Sequence, residues 1–93
     1  MKVRLSDRAQ SDLDDVFAYI AADSKFYAMR FLLDLRQAMR LLAKFPQSGR
    51  TIPKYGDPAI REKFYRNYRI AYSITEDAIE IATIHHVAKM PDN

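Results

Sequence analysis

The 93-residue sequence predicts a two-layer α+β domain in which a helical hairpin packs on one face of an antiparallel sheet. Three observations lead to this prediction. Apolar residues recur with the period of a helix, about 3.6 residues, through residues 6–44, and with a period of two after residue 60. The segment between them, residues 46–58, holds both glycines and three of the four prolines, which is typical of a loop. We expect residues 1–93 to form a single domain, because a chain of this length fits one.

The N-terminal half is predicted to form a short strand and two helices. Val3 and Leu5 alternate with charged residues, as in a strand. Ser6 can then cap a first helix, and Ser24 can cap a second that runs from about Lys25 to Lys44. The first helix presents one apolar stripe, formed by Ala9, Leu13, Val16, Phe17 and Ile20. The second presents another, formed by Ala28, Phe31, Leu32, Leu35, Met39 and Leu42.

The C-terminal half is predicted to form three strands, Ile60–Tyr65, Tyr68–Thr75 and Ala78–His86. With Glu76-Asp77 as the turn between the last two strands, one face is apolar and should pack on the helices. That face carries Tyr68, Ile70, Tyr72, Ile74, Ile79, Ile81, Thr83 and His85. The opposite face is expected to point outward, and it carries Arg69, Ser73, Glu80, Ile84 and His86.

The register of the strand at residues 60–65 has two alternatives. A two-residue turn at Arg66-Asn67 would place on the core face Arg61, Lys63 and Tyr65. A three-residue turn from Tyr65 to Asn67 would instead place there Ile60, Glu62 and Phe64. Neither set is wholly apolar, which is typical of an edge strand.

Composition narrows the possible functions. The formal net charge of +3 permits binding to nucleic acid or to an acidic protein. The absence of cysteine excludes disulfides, thiolate zinc sites and cysteine nucleophiles. We expect no metal site, because His85 and His86 are consecutive on a strand and point to opposite faces, and no third ligand is evident. We also expect no cofactor. No apolar stretch is long enough for a signal peptide or a membrane span, so we expect a cytoplasmic protein with no membrane partner.

An arginine and a histidine are predicted to lie together on the outward sheet face. Arg69 would lie opposite Ile84, which makes His86 its diagonal neighbour at about 7 Å. Arginine can stabilise the charge of a phosphorane and histidine can move a proton near neutral pH, so the pair could cleave a phosphodiester. The alternative is an ordinary solvated sheet face on which Arg69 pairs with Glu80.

The second helix carries two features that suggest a partner. Met29 and Leu33 lie one turn apart beside the core stripe and could form an exposed groove for a partner helix, unless the helix is simply well buried. Arg36, Arg40 and Lys44 form a basic stripe. This stripe could meet nucleic acid or an acidic partner, or it could reflect favourable placement near the negative end of the helix dipole.

Short motifs follow one another along the chain: Ala9-x-x-Asp12-Leu13, Tyr19-Ile20-Ala21, Ala28-x-Arg30-Phe31, Leu42-x-x-x-Pro46-x-x-Gly49-Arg50, Arg61-Glu62, Tyr68-Arg69-Ile70-x-Tyr72, Glu80-Ile81 and a final His86. Their order and spacing resemble the RelE/ParE superfamily, and the signature is more similar to ParE than to RelE. The resemblance implies a RelE-like fold with a helical hairpin on a sheet completed by three C-terminal strands. It also implies the toxin of a type II toxin–antitoxin system, a growth inhibitor neutralised by a cognate antitoxin, with which it could form a hetero-oligomer.

The resemblance implies two alternative targets. ParE-like toxins inhibit DNA gyrase, whereas RelE-like toxins cut messenger RNA on the ribosome. As a nuclease the chain would use as catalytic residues Arg69, His86 and Lys89. The nucleases also rely on a C-terminal tyrosine, and no tyrosine follows His86 in this sequence, so gyrase is the leading interpretation. A third alternative is a module that only binds its antitoxin.

The resemblance and the surface pattern together indicate two contact sites. The expected contacts to the target are Arg61, Arg69, His86 and Lys89. The expected contacts to the antitoxin are Met29, Leu33 and Arg36.

Overall fold

The computed structural model of the chain describes residues 1–89. In chain order its strands and helices are β1 (Lys2–Leu5), α1 (Asp7–Ala21), α2 (Lys25–Lys44), β2 (Arg50–Thr51), β3 (Ile60–Tyr65), β4 (Tyr68–Ile74) and β5 (Ala78–His86). Short 3₁₀ turns lie at Pro46–Ser48, Pro53–Tyr55 and Val87–Lys89. The predicted helices and strands are confirmed, and the two-residue β2 is an addition.

The two helices begin where the sequence places their caps. The Ser6 hydroxyl accepts a hydrogen bond from the Ala9 amide at 2.9 Å, and the Ser24 hydroxyl accepts one from the Tyr27 amide at 3.1 Å. Each hydroxyl satisfies one of the amides that has no partner within the first turn of its helix. Three residues separate α1 from α2, so the helices form an antiparallel hairpin.

The strands of residues 1–89 form one sheet in the order β1-β5-β4-β3-β2. Strands β2 to β5 pair antiparallel, but β1 pairs with β5 in parallel, from Lys2 opposite Ala78 to Leu5 opposite Ile81. The sheet is therefore mixed, and the prediction of an antiparallel sheet was wrong for its first strand. Alternation of apolar residues indicates which face of a strand is buried, but it carries no information on the direction of a distant partner.

The core lies between the helical hairpin and one face of the sheet. The predicted sheet residues Ile70, Tyr72, Ile79 and Ile81 are buried there, together with Leu13 and Leu35 from the helices. Four other predicted core residues are only partly buried: Phe17, Ile20, Leu32 and Ile74. Phe17 and Leu32 contribute to a groove between the two helices, and this explains their exposure.

A β-bulge in β5 changes the predicted register of the last hairpin. The predicted pair Ser73–Glu80 is present, but beyond Tyr72 the partner of Ala71 is Thr83, which leaves Ala82 as an extra residue. Every later residue of β5 is therefore shifted by one position and lies on the other face. The outward face receives Thr83 and His85, which were predicted in the core, and the helix face receives Ile84 and His86, which were predicted outside. Burial of an apolar Ile84 in place of a polar Thr83 is the physical reason for this arrangement.

The register of β3 follows from a two-residue turn. Tyr65 pairs with Tyr68, so Arg66 and Asn67 form the turn, and Arg66 has a positive φ of 52°. In this register Arg61, Lys63 and Tyr65 lie on the helix-facing side of the sheet. Ile60, Glu62 and Phe64 lie on the outward side.

Gly49 joins the loop after α2 to the sheet through Tyr72. The Gly49 amide donates to the Tyr72 hydroxyl at 3.0 Å, and that hydroxyl donates to the Pro46 carbonyl at 2.7 Å. Burial raises the pKa of the Tyr72 phenol above its ordinary value of 10.0, so the hydroxyl keeps the proton that it donates. A Cβ on Gly49 would lie 2.5 Å from the Tyr72 hydroxyl oxygen and 2.6 Å from the Glu62 carbonyl oxygen. The close approach of loop and sheet therefore requires glycine.

We predict that Gly49→Ala lowers the free energy of unfolding by about 2 kcal/mol or more, because the loop must move away from Tyr72 and lose its hydrogen bonds. Gly56→Ala is the matched control. Gly56 has a φ of 60° and open space around it, so alanine there should cost only about 1 kcal/mol of backbone strain. Urea unfolding of both variants provides the measurement, and equal costs would contradict the role given to Gly49.

Candidate functional site

Arg69 belongs to a cluster of charges on the sheet face that points away from the helices. Its Nε donates to one oxygen of the Glu62 carboxylate at 2.5 Å, and Arg50 Nε donates to the other at 2.7 Å. The Glu62 side chain is only 8% exposed. The Arg50 guanidinium also lies 5.5 Å from the centre of the Phe64 ring. We call Arg50, Glu62 and Arg69 the outer-face cluster.

The ion-pair partner of Arg69 is not Glu80, the residue considered from the sequence. Glu62 lies opposite Ala71 on β3, which makes it the diagonal neighbour of Arg69, whereas Glu80 is opposite Ser73 on β5 and is exposed. Arg69 therefore pairs with Glu62 instead of Glu80. Because its partner is buried, the Arg69 charge is held firmly and is largely compensated.

The Glu62 carboxyl keeps its charge despite its burial. Burial alone raises the pKa of this group. The hydrogen bonds and positive charges of Arg69 and Arg50 together outweigh that effect, and they lower the pKa of Glu62 below its ordinary value of 4.5. The carboxylate is thus the anionic centre that holds two arginines in place.

The two consecutive histidines leave β5 towards opposite faces of the sheet, but the His85 ring at the end of the strand reaches Arg8 and Asp12 of α1. His85 is paired with Arg69, and its Nε2 is 3.2 Å from the Arg8 guanidinium. The same Nε2 lies 3.7 Å from a carboxylate oxygen of Asp12, and Nδ1 is buried without a hydrogen-bond partner among the described residues. His86 lies with its ring 5.2 Å from the ring of Tyr68, and its Nδ1 accepts from the Ala88 amide at 3.1 Å. The predicted Arg69–His86 pair is therefore wrong, and the residue beside Arg69 is His85.

Asp12 is a structural residue to which the sequence pattern assigned no role. Strand β1 ends opposite Ile81, so the next backbone groups of β5 need other partners. The Ser6 hydroxyl donates to the Ala82 carbonyl at 2.8 Å, and Asp12 accepts from the Ile84 amide at 3.0 Å and from Arg8 Nε at 3.1 Å. The signal in the sequence was its position, three residues after Ala9 and beside Leu13, which places a carboxylate at the edge of the buried stripe.

A cleft of about 390 Å³ lies between α1 and the end of β5. Its lining includes Asp12, Tyr19, Tyr68, His85 and His86. Both of the Asp12 oxygens already accept hydrogen bonds, and within residues 1–89 no group of three histidines or carboxylates is placed to hold a metal ion. In the same part of the chain, no helix is long and apolar enough to cross a bilayer.

The other expected target contacts are dispersed. The Arg61 guanidinium lies on the helix-facing side of the sheet, where it donates to the carbonyls of Gly49 at 2.9 Å and Pro58 at 2.8 Å. It therefore holds the loop between α2 and β3. The side chain of Lys89 lies outside the described residues. The structure thus separates Arg69 from both Arg61 and His86.

The expected antitoxin contacts lie beside a groove between α1 and α2. Met29 and Leu33 are 49% and 59% exposed, so the alternative of a well-buried helix is wrong for both residues. We call the groove the hairpin groove; it is lined by Gln10, Leu13, Asp14, Phe17, Met29, Leu32 and Arg36. The structure brings Met29 and Arg36 together in the groove, and Leu33 lies next to them on the exposed side of α2.

Comparisons with known proteins agree with this architecture. The chain is similar in fold to a solved structure described as the chromosomal ParDE TA system from P. aeruginosa, with a TM-score of 0.75 over 94% of this chain and 96% of that chain. Their sequences are 19% identical, so the likeness establishes an α+β fold shared with that toxin–antitoxin structure. A family model described as the ParE toxin of the type II toxin–antitoxin system, parDE, matches residues 3–91. The chain belongs to this family of toxins, and the resemblance inferred from its motifs is confirmed. A search of curated proteins gave no match.

We predict that Glu62→Gln lowers the free energy of unfolding near neutral pH by about 2 kcal/mol, because two arginines lose a charged hydrogen-bond acceptor. The pKa of Glu62 is lowered in the folded protein, so its carboxylate stabilises the fold fully above the ordinary value of 4.5. That stabilisation is lost as the pH falls through the lower pKa that Glu62 has in the folded protein. The difference between wild type and Glu62→Gln in urea unfolding should therefore shrink in acid. Glu80→Gln, at an exposed carboxylate, should show little difference at any pH, and a constant difference for Glu62→Gln would contradict this account.

Proposed function

We propose that this toxin acts by binding DNA gyrase and blocking it, without breaking a bond in its target, and that a cognate antitoxin neutralises it. Membership of the ParE family supports this proposal, since ParE-like toxins are inhibitors of gyrase. Gyrase acts on chromosomal DNA, so the proposed site of action is the cytoplasm.

The separation of Arg69 from His86 is the observation that favours binding over RNA cleavage. Cleavage of a phosphodiester needs a charge-stabilising cation and a proton-transfer group within reach of the same phosphate. Arg69 and His86 lie on opposite faces of the sheet, so one phosphate cannot contact both. The Arg69 charge is also compensated by Glu62, and the Nδ1 of His86 is occupied by the Ala88 amide.

The outer-face cluster is the proposed contact to gyrase. Glu62 holds both guanidiniums in defined positions, which lowers the entropy lost when they bind a partner. Arg50 is the exposed member, with 72% of its side chain accessible, and it stands above the ring of Phe64. Two arginines and one glutamate leave one net positive charge here. An acidic or polar surface on the target would complement it.

We predict that the purified protein inhibits gyrase-catalysed supercoiling and leaves ribosome-bound messenger RNA intact. Arg50→Ala should raise the concentration needed for inhibition by about tenfold, the effect of one lost charged contact. Its control is Arg30→Ala, which removes an arginine of equal exposure (71%) from the helix layer and should inhibit like the wild type. Each of Arg50→Ala and Arg69→Ala leaves the buried Glu62 with one arginine, so urea unfolding of both variants must accompany the inhibition assay. Arg50→Ala is the better probe of target contact, because the Arg50 side chain is 72% exposed and that of Arg69 only 19%.

His86→Ala distinguishes the two possible targets. A nuclease that used this histidine for proton transfer would lose on the order of a hundredfold in rate, whereas a gyrase inhibitor should keep its activity within a few-fold. Messenger-RNA cleavage by the wild type that His86→Ala abolishes would overturn the gyrase proposal in favour of an endoribonuclease.

The hairpin groove and the exposed α2 residues beside it form the proposed antitoxin site. Its floor is apolar, from Leu13, Phe17 and Leu32, and Met29 and Leu33 add exposed apolar surface at its edge. A small protein seldom leaves such a surface uncovered. An amphipathic helix that lays its apolar face along α2 would bury it.

We predict that Met29→Ser and Leu33→Ser each weaken antitoxin binding by about 1–2 kcal/mol, roughly tenfold in Kd, because each loses apolar area buried in the complex. The side chains are exposed in the free protein, so urea unfolding should change little. Leu41→Ser is the matched control: Leu41 is on the same helix and 47% exposed, but it lies beside Phe64 and Tyr65, away from the groove. Calorimetric titration with the protein encoded beside this toxin gives the affinities, and equal losses at positions 29, 33 and 41 would argue against this site.

A further inference from the structure

The two helices of the hairpin carry opposite charge. α1 contains four aspartates and one arginine, a net charge of −3, and α2 contains five lysines or arginines and one aspartate, a net charge of +4. Of these charged residues, Asp14 on α1 and Arg36 on α2 line the hairpin groove, one on each side. A surface with this arrangement is complementary to a copy of itself that is turned so that the helices exchange places.

Asp14 and Arg36 bring this asymmetry to the rim of the groove. Asp14 lies on α1 and is contacted by the Gln10 amide at 3.1 Å. Arg36 lies on α2, and among residues 1–89 it forms no hydrogen bond or ion pair. The apolar floor of Leu13, Phe17 and Leu32 lies between them. Each residue thus offers a charge that its own chain leaves available to a partner.

We propose that the hairpin groove is also the interface of a symmetric dimer of this chain, in which Asp14 of each copy pairs with Arg36 of the other. The two-fold axis would run parallel to the helices, because only this axis places α1 of one copy against α2 of the other. An axis perpendicular to the helices and in the plane of contact would place α1 against α1 and α2 against α2, so Asp14 would not meet Arg36.

The heights of the two residues along the hairpin fit this axis. Rotation about an axis parallel to the helices does not change the position of any residue along the direction of the helices, which we call its height. Counted from the connecting turn, Asp14 is level with Leu32, and Arg36 is level with Gln10, about one helical turn further along. Helical side chains lean towards the N-terminus of their helix, so Arg36 leans towards the level of Asp14 and Asp14 leans towards the level of Arg36. The two charged groups therefore approach each other across the interface.

The size of the surface suits a dimer. With 15 and 20 residues, the helices are about 22 and 30 Å long. A standard interface buries roughly 800 Å² per partner, and two parallel helices of this length provide an elongated face for such a contact. Phe17, Met29 and Leu33 supply apolar contacts in the centre, with the Asp14–Arg36 pairs beside them. This interface overlaps the proposed antitoxin site, so if that site is correct, antitoxin binding and self-association exclude each other.

The test is sedimentation equilibrium of the full chain without antitoxin. The wild type should show a dimer that dissociates on dilution and weakens with salt. Asp14→Arg places two arginines together at both symmetric contacts, and Arg36→Asp places two aspartates there. Each variant alone should dimerise at least about tenfold more weakly than the wild type. Glu76→Arg, a charge reversal at the exposed β4–β5 turn, is the control and should dimerise normally.

A mixture of the two variants gives the decisive result. In a mixed dimer, the arginine introduced at position 14 of one copy faces the aspartate introduced at position 36 of the other, and the remaining contact is the wild-type pair. The mixture should therefore recover dimers that neither variant forms alone. A monomeric wild type at every concentration, or a mixture that stays monomeric, would overturn the proposed interface. These measurements involve neither gyrase nor antitoxin, so their failure would leave the proposed function untouched.

Discussion

The extra residue Ala82 in β5 determines which chemistry each face of the sheet can carry. Strand β5 is an interior strand that pairs in parallel with β1 on one side and antiparallel with β4 on the other. Before the bulge it buries Ile79 and Ile81, and after it the buried residue is Ile84. The bulge keeps an apolar side chain in the core at the point where strict alternation would bury Thr83. It also makes His85 the cross-strand partner of Arg69 and leaves His86 against Tyr68.

The open edge of β5 is closed by α1. Strand β1 is too short to pair with β5 beyond Ile81, so the backbone of Ala82 and Ile84 is bound by Ser6 and Asp12. Ser6 therefore both caps the first helix and binds the edge of the sheet, and Asp12, one turn further along α1, completes that edge. Unpaired edges promote association with other strands, and here the edge next to the bulge is satisfied within the chain.

Glu62 makes the outer face rigid and limits what it can do. Burial by itself raises the pKa of the Glu62 carboxyl, and its two arginines outweigh that effect and favour the ionised form. The arginines in turn have little freedom to move towards a substrate. Such a cluster suits recognition of a surface better than movement of charge during a reaction. The helical hairpin, in contrast, presents apolar and unpaired charged side chains, so partner proteins are expected to bind the helix layer.

The sequence by itself determined the order of the elements, both helix caps, the buried stripes of α1 and α2 and the family. These depend on short-range periodicity and on capping, which neighbouring residues control. It also indicated that Arg69 leaves the core face and that Met29 and Leu33 widen the apolar surface of α2. Only the tertiary structure decided the parallel pairing of β1, the bulge at Ala82 and the two-residue turn before β4. It also decided that Glu62 would be the partner of Arg69. Each of these depends on contacts between residues far apart in the chain. One extra residue in a strand moves the side chains of all later residues of that strand to the opposite face of the sheet.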